Sequence, residues 1–341
     1  MRVAMYYNND RVLVEEMPVP PIGPGELLMR VHACGICGSD VLEWYRKDSV
    51  PLVLGHEVGG EVAAVGEGVI AYKIGDRISA SHHVPCNTCH YCRSGHHTMC
   101  DTLRTTHFDP GGFAEYVRLP AINVDRGVYP LPPEVSYDEA TFIEPLACVV
   151  RGQRRAGLSP GQSVLVLGSG VAGLLHIQLA RALGAGRVVA TDVLDYRLEA
   201  ALKFGADFAF SSDDVSGRLR QVNGGRLADL VIACTGVPQA LKQALKVVER
   251  GGTILFFAPA PPDYSFPLPF NDTFWRTDVT LTTSYAGSPA DHHLALELIR
   301  SRRVSLEGMV SHRLPFGEVG MGFQLVSRAR DCLKVIVHPQ R

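Results

Sequence analysis

The chain lacks a charge bias of either sign. Its 33 Lys and Arg stand against 35 Asp and Glu, a formal net charge of -2. No long-range field draws it to nucleic acid or to an anionic membrane surface. Long apolar runs are missing as well: hydrophobic segments are short and broken by Gly or charge, far below the roughly 20 residues of a membrane-spanning helix. Met1-Arg2-Val3-Ala4-Met5 opens no signal-peptide-like run and no Arg/Ser-rich leader, so the expectation is a soluble, cytoplasmic protein with no membrane and no nucleic-acid partner. Internal repeats and low-complexity tracts are absent too. At 341 residues the chain exceeds the size at which one hydrophobic core stops growing, which predicts two domains.

Cysteine is present, in a pattern that argues against disulfides. There are nine, an odd number, and Cys86, Cys89, Cys92 and Cys100 are crowded into C-x2-C-x2-C-x7-C. Without a secretory leader such a cluster points to metal. Four thiolates this close can complete a tetrahedral zinc site with no open position, a staple with no direct chemical role. An iron-sulfur cluster is the competitor, but the fourth spacing is wrong and Asp101 stands where Pro would follow. His90, His96 and His97 interleave the cluster and are expected at the surface. Cys234 and Cys332 lie in apolar strand-like runs and read as inert buried thiols.

The texture changes near residue 150. Before it, Gly and Pro separate short β-rich runs such as 26–31 and 60–65, as in a barrel-like antiparallel domain. After residue 160 the pattern alternates: strand 163–167, helix 171–183, strand 187–191, helix 195–204, then strands 229–233 and 253–258 around a helix at 238–249. That order predicts an α/β, doubly wound Rossmann domain with a parallel sheet. The tail reads as helix at 290–302, less clearly helix at 317–327, and strand at 333–337; periodicity assigns it to neither domain.

Gly168, Gly170 and Gly173, with Ser169, Val171 and Ala172 between them, spell G-x-G-x-x-G. The motif is weak alone, but here it follows a strand and opens a helix, the context that dinucleotide binding needs. Its glycines permit a tight turn and a close approach to pyrophosphate, which the helix N-terminus then attracts. Asp192 ends the next strand, where a carboxylate bonds the ribose hydroxyls. It would repel a 2′-phosphate, and Val193 and Leu194 bring no offsetting charge, so NAD is expected over NADP. Arg197 lies one turn onward, against the adenine or ribose or on a solvated helix face.

The segments Cys34-Gly35-Ile36-Cys37-Gly38-Ser39-Asp40, Gly55-His56-Glu57-Val58-Gly59-Gly60, Lys73-Ile74-Gly75-Asp76-Arg77 and Glu144-Pro145-Leu146, with the four-cysteine lobe and the glycine motif, resemble the zinc-dependent medium-chain alcohol dehydrogenases. The likeness spans essentially the whole chain and is greatest to the branch of sorbitol, other polyol and threonine dehydrogenases. It implies a GroES-like, mostly-β catalytic domain at 1–148 and 286–341 around a Rossmann domain at 149–285. It implies a homotetramer or homodimer and two zinc ions per chain. Cys37 and His56 are implied as catalytic-zinc ligands, with Glu144 as the third, directly or through water. Glu57 is implied to be a ligand in some states and a supporting carboxylate in others. Asp40 is the implied orienter of His56, and Ser39 the hydroxyl that takes the substrate proton.

The implied reaction is reversible, NAD-dependent oxidation of a secondary alcohol to the ketone, with zinc as Lewis acid. A polyol, cyclitol or amino alcohol is the expected substrate, with Trp44 and Trp275 as candidate pocket residues or core packing. Two alternatives share the sequence: a ketone or aldehyde reductase, and a non-catalytic zinc-stapled NAD-binding redox sensor. One departure stands out: relatives carry a proton-relay histidine where this chain has Leu42.

Overall fold

The computed structural model describes residues 1–341, which form two compact units. One holds Met1–Ala147, Gly287–Arg300 and Leu306–Arg341; the other holds Cys148–Ala286 and Ser301–Ser305.

The first unit is built on a large sheet. Its order is Val310–Pro315, Lys334–His338, Leu27–Gly35, Glu57–Val65, Arg77–Ala80, Val128–Pro130, with Tyr116–Leu119 also paired to Leu27–Gly35. All pairs are antiparallel except the first, which is parallel. Along Leu27–Gly35 the alternate residues Leu27, Met29 and Val31 are fully buried while their neighbours are half-buried, the period-two pattern of a sheet with one face on a core. That core gathers Val58, Val62, Ile78, Phe113 and Phe323. The tail supplies helices Pro289–Arg300 and Val319–Arg328 and the strand Lys334–His338.

The second unit is a six-stranded, fully parallel sheet ordered Phe208–Ser211, Arg187–Asp192, Ser163–Leu167, Ala228–Ala233, Val248–Phe256, Thr280–Thr283. Every residue of Ser163–Leu167 is buried, as a strand covered on both faces requires. The strand order reverses beside Ser163–Leu167, which places the glycine motif at the switch point.

The sequence reading passed over several elements of the chain. Phe208–Ser211 and Thr280–Thr283 are short strands at the two sheet edges. Helix Val215–Val222 contains Gly217, which weakens a helical pattern. Helix Ile143–Ala156 holds Pro145 in its first turn, where the missing N–H has no intrahelical acceptor to lose. One helix is shorter than its sequence pattern: it ends at Val247, and the chain continues as strand from Val248.

Candidate active site and metal centres

Four of the nine thiols meet in one place. The Sγ atoms of Cys86, Cys89, Cys92 and Cys100 all lie within 4.8 Å of one another. The turn that gathers them aims donors at sulfur: Cys86 Sγ accepts from Thr88 N at 3.4 Å and Cys89 N at 3.3 Å, and Cys100 Sγ from Cys86 N at 3.3 Å. The Thr88 hydroxyl and these N–H groups pull the Cys86 thiol down to about 5. At Cys100 burial is outweighed by backbone N–H donors and the thiol is lowered too, whereas burial and the Cys89 sulfur push Cys92 up. Four sulfurs this close, two of them drawn toward thiolate, are the donor set of a closed zinc site. Arg126 ties the lobe to the rest of the unit through Pro85 O at 3.1 Å and Cys86 O at 3.0 Å. His90 and His96 are exposed and His97 is half-buried; none joins the thiols. No disulfide forms among the nine cysteines.

A second donor set brings together residues distant in sequence. Ligand atoms of Cys37, His56 and Glu57 lie within 4.8 Å of one another. Cys37 follows the strand Leu27–Gly35, and a tight turn fixes it: Asp40 N donates to Cys37 O, and Cys37 N to Asp40 Oδ2, both at 3.0 Å. Asp40 is wholly buried and reaches His56 Nδ1 through Oδ1 at 3.4 Å, with Arg46 Nη2 at 3.6 Å on the same oxygen. Burial works against an ionised Asp40, but His56, the Cys37 N–H and Arg46 outweigh it and hold the carboxyl below its ordinary value. One ring nitrogen of His56 is thus occupied by a carboxylate, the arrangement that leaves the other for a metal. Sulfur, imidazole and carboxylate at this separation fit zinc with a position open.

Glu57 is itself held. Its Oε2 forms a close ion pair with Lys334 Nζ, both side chains almost fully buried. Burial opposes the Lys334 charge, yet Glu57 chiefly, with Cys37 and Glu144, raises its pKa. Gly35 makes room for this pair: a Cβ there would stand 2.6 Å from Lys334 Cε and 2.7 Å from Nζ. Nothing local in the sequence marks Lys334, which lies 277 residues from Glu57.

Glu144 is the second residue of helix Ile143–Ala156 and half-buried; it stands outside the Cys37, His56 and Glu57 set, close enough to Lys334 to raise its pKa. Ser39 donates from Oγ to Cys37 Sγ at 3.4 Å. Leu42 immediately precedes the short helix Glu43–Arg46. Trp44 is 40% and Trp275 72% exposed, so neither packs in a core. His82, which the sequence reading did not single out, lies with its ring centroid 4.9 Å from that of His56.

In the second unit the glycine motif forms the expected turn. Gly168 has φ +93°, in the left-handed region, and a Cβ on Gly173 would run into the Gly168 carbonyl oxygen. Gly170 precedes helix Val171–Ala182, whose first residues are Val171 and Ala172. Asp192 ends the strand Arg187–Asp192. Its Oδ2 accepts from Ser169 N at 2.8 Å and its Oδ1 from Val193 N at 2.8 Å and Leu194 N at 3.1 Å. Val193 and Leu194 bring no charge to this carboxylate, but Arg197 does: its Nη1 is 3.8 Å from Asp192 Oδ2, brought back by the first turn of helix Asp195–Lys203.

Residues 23–133 match the family model of the alcohol dehydrogenase GroES-like domain, and 172–301 that of the zinc-binding dehydrogenases. A sorbitol dehydrogenase of Bacillus subtilis (strain 168) is 30% identical, the match covering 100% of this chain and 98% of that protein. The alcohol dehydrogenase TADH from Thermus sp. ATN1 superposes with TM-score 0.86 at 33% identity, covering 99% of each chain. A zinc-binding dehydrogenase from Sinorhizobium meliloti 1021, solved with NADP bound, superposes with TM-score 0.88 at 29% identity, again over 99% of each chain. No helix of this chain is long and apolar enough to cross a membrane. With a GroES-like domain, a Rossmann-type domain and relatives matched end to end, the chain belongs to the zinc-binding alcohol dehydrogenase family and is an oxidoreductase of small molecules.

Proposed function

We propose that the chain catalyses reversible NAD-dependent oxidation of a secondary hydroxyl in a polyol or related alcohol, at a zinc held by Cys37, His56 and a carboxylate. The observation that carries this reading is the Cys37, His56 and Glu57 donor set with Asp40 behind the imidazole. When bound, zinc supplies a Lewis acid that acidifies an alcohol, and nicotinamide a hydride acceptor. The chain's own residues do the rest. Asp40 fixes the His56 ring, and Lys334 occupies one oxygen of Glu57 so that the other alone is offered to the metal. Glu144, a residue of the same unit outside that set, is the third ligand or reaches the metal through water.

Ser39 is the proposed proton acceptor from the substrate. Its hydroxyl lies against the Cys37 sulfur, at the centre where the alcohol would bind. With Leu42 at the usual relay position, the proton goes from Ser39 to water. Replacing Ser39 with Ala is expected to lower kcat by about 100-fold, the scale of one positioned proton acceptor, with zinc content unchanged. A stopped-flow trace of NADH formation as rapid as wild type would remove Ser39 from the mechanism.

A second, structural zinc on Cys86, Cys89, Cys92 and Cys100 and an Asp192-bound NAD complete the proposed cofactors. Thiolate sites of this kind need a reducing compartment, and the cytoplasm is the proposed one. A homodimer or homotetramer is proposed as the assembly; Thr280–Thr283 leaves one sheet edge unpaired, and Phe270 and Trp275 are 69% and 72% exposed. The test of the function is a screen for NAD reduction by the zinc-loaded protein against polyols, inositols, amino alcohols, threonine and simple secondary alcohols. Turnover on one class, lost on chelation, is the expected result; silence across a panel with zinc and NAD both bound overturns the reading.

A further inference from the structure

Beside the proposed metal centre lies a file of imidazoles that the mechanism above does not use. Ring centroids run from His56 to His82 at 4.9 Å, from His82 to His83 at 3.7 Å, and from His83 to His107 at 5.2 Å. His107 is exposed, so the file leads from the metal ligand to solvent. We infer that His82 and His83 form a subsite that hydrogen-bonds the hydroxyls flanking the reacting carbon, selecting a polyhydroxylated substrate over a monoalcohol. The inference rests on the dehydrogenase reading, which proposes a polyol, and adds to it the residues that select one.

The segment is built to hold these rings still. Asn123, fully buried, donates from Nδ2 to Ser81 O at 2.9 Å and His82 O at 3.1 Å, and Ser81 Oγ donates to His83 O at 2.8 Å. His83 Nδ1 lies 2.9 Å from Thr106 O. A carbonyl only accepts, so Nδ1 carries the proton and Nε2 is left as an acceptor. His82 Nδ1 is buried and meets no partner within the protein. A buried polar atom left unmet costs about 1–3 kcal/mol, which a substrate hydroxyl recovers by donating or accepting. The edge of Phe108, 6.1 Å from the His82 ring, offers an apolar wall to C–H groups.

The hydrogen-bonding groups narrow the ligand further. His83, its Nδ1–H committed to Thr106 O, offers a single acceptor nitrogen, and His82 offers the unmet Nδ1. Two such positions side by side suit adjacent hydroxyls of one substrate and are idle toward a monoalcohol.

The experiment compares wild type, His82→Phe and His82→Gln, each zinc-loaded and assayed for zinc. Substrates are xylitol, sorbitol, myo-inositol and 2-butanol. Calorimetric binding of the best polyol to the NADH-bound protein gives a readout independent of turnover. Wild type is expected to favour the best polyol over 2-butanol by at least about 100-fold in kcat/KM. His82→Phe is expected to lower polyol kcat/KM and binding by about 30-fold, to change 2-butanol by no more than about threefold, and His82→Gln to restore most of the loss. Equal effects on polyol and 2-butanol, or none on either, overturn the subsite alone. A zinc-loaded wild type that oxidises no alcohol overturns the dehydrogenase reading and the subsite with it.

Discussion

Replacing Asp192 with Ser is expected to change the ratio of kcat/KM for NADP over NAD by about 10²–10⁴, the scale of two hydrogen bonds to a charged group at about 1.5–3 kcal/mol each. In wild type the carboxylate would repel a 2′-phosphate, while Arg197 at 3.8 Å partly offsets its charge. In the proposed site, removing the carboxylate would delete the acceptors for the ribose hydroxyls and the ion-pair partner of Arg197 Nη1, so that this guanidinium, which donates from Nε to the Tyr196 hydroxyl, could meet a phosphate. The loss with NAD and the gain with NADP therefore have separate origins. Adding Arg197→Ala should abolish the gain and keep the loss. Because Asp192 also accepts from Ser169, Val193 and Leu194 N–H groups, the melting temperature must be followed alongside. A ratio unmoved in a folded Asp192→Ser protein contradicts the cofactor assignment.

Lys334→Met is expected to destabilise the metal-free protein by about 3–5 kcal/mol, since it strands the Glu57 carboxylate in a buried site. For a unit of this size that corresponds to a fall in Tm on the order of 10 °C. The double replacement Lys334→Met with Glu57→Gln removes both charges and should recover much of the loss. The sign of the pH dependence follows from the raised Lys334 pKa. Its contribution is fully present below the ordinary lysine value and is lost as pH rises through the folded one. Neutral and mildly alkaline solutions therefore share the same penalty. A single variant that melts no earlier than the double, by scanning calorimetry, would show that a stranded Glu57 carboxylate is not what destabilises it.

Local spacing accounts for what the sequence revealed. The four thiols of the structural lobe sit within fifteen residues, and the glycine motif within six, so each carries its geometry in its own segment. Period-two and helical patterns likewise located most core strands and helices, because burial on a regular element imposes a regular pattern. What escaped lacks a local signature. Lys334 meets Glu57 only because Lys334–His338 and Glu57–Val65 flank the same strand, Leu27–Gly35, across a register that brings Gly35 opposite Glu57. His82 approaches His56 from the end of a neighbouring strand, and no spacing rule links the two. Phe208–Ser211 and Thr280–Thr283 are short edge strands with few buried residues, too brief for a period to emerge. The Cys37 and His56 pairing was reached through family resemblance; the close approach of Glu57 to both, with Glu144 outside the set, came from geometry.

The most direct test of the account is the zinc content of wild type, Cys37→Ser and Cys89→Ser, each measured with NAD reduction by the best polyol. The account predicts two zinc ions per wild-type chain, one for each donor set, and turnover that chelation abolishes. Cys37→Ser should keep one zinc and lose activity while melting near the wild-type temperature; Cys89→Ser should lose one zinc and melt well below it. Full activity in a Cys37→Ser protein depleted of the second zinc, or a wild type that turns over without metal, would contradict the assignment of Cys37, His56 and their carboxylate as the catalytic centre.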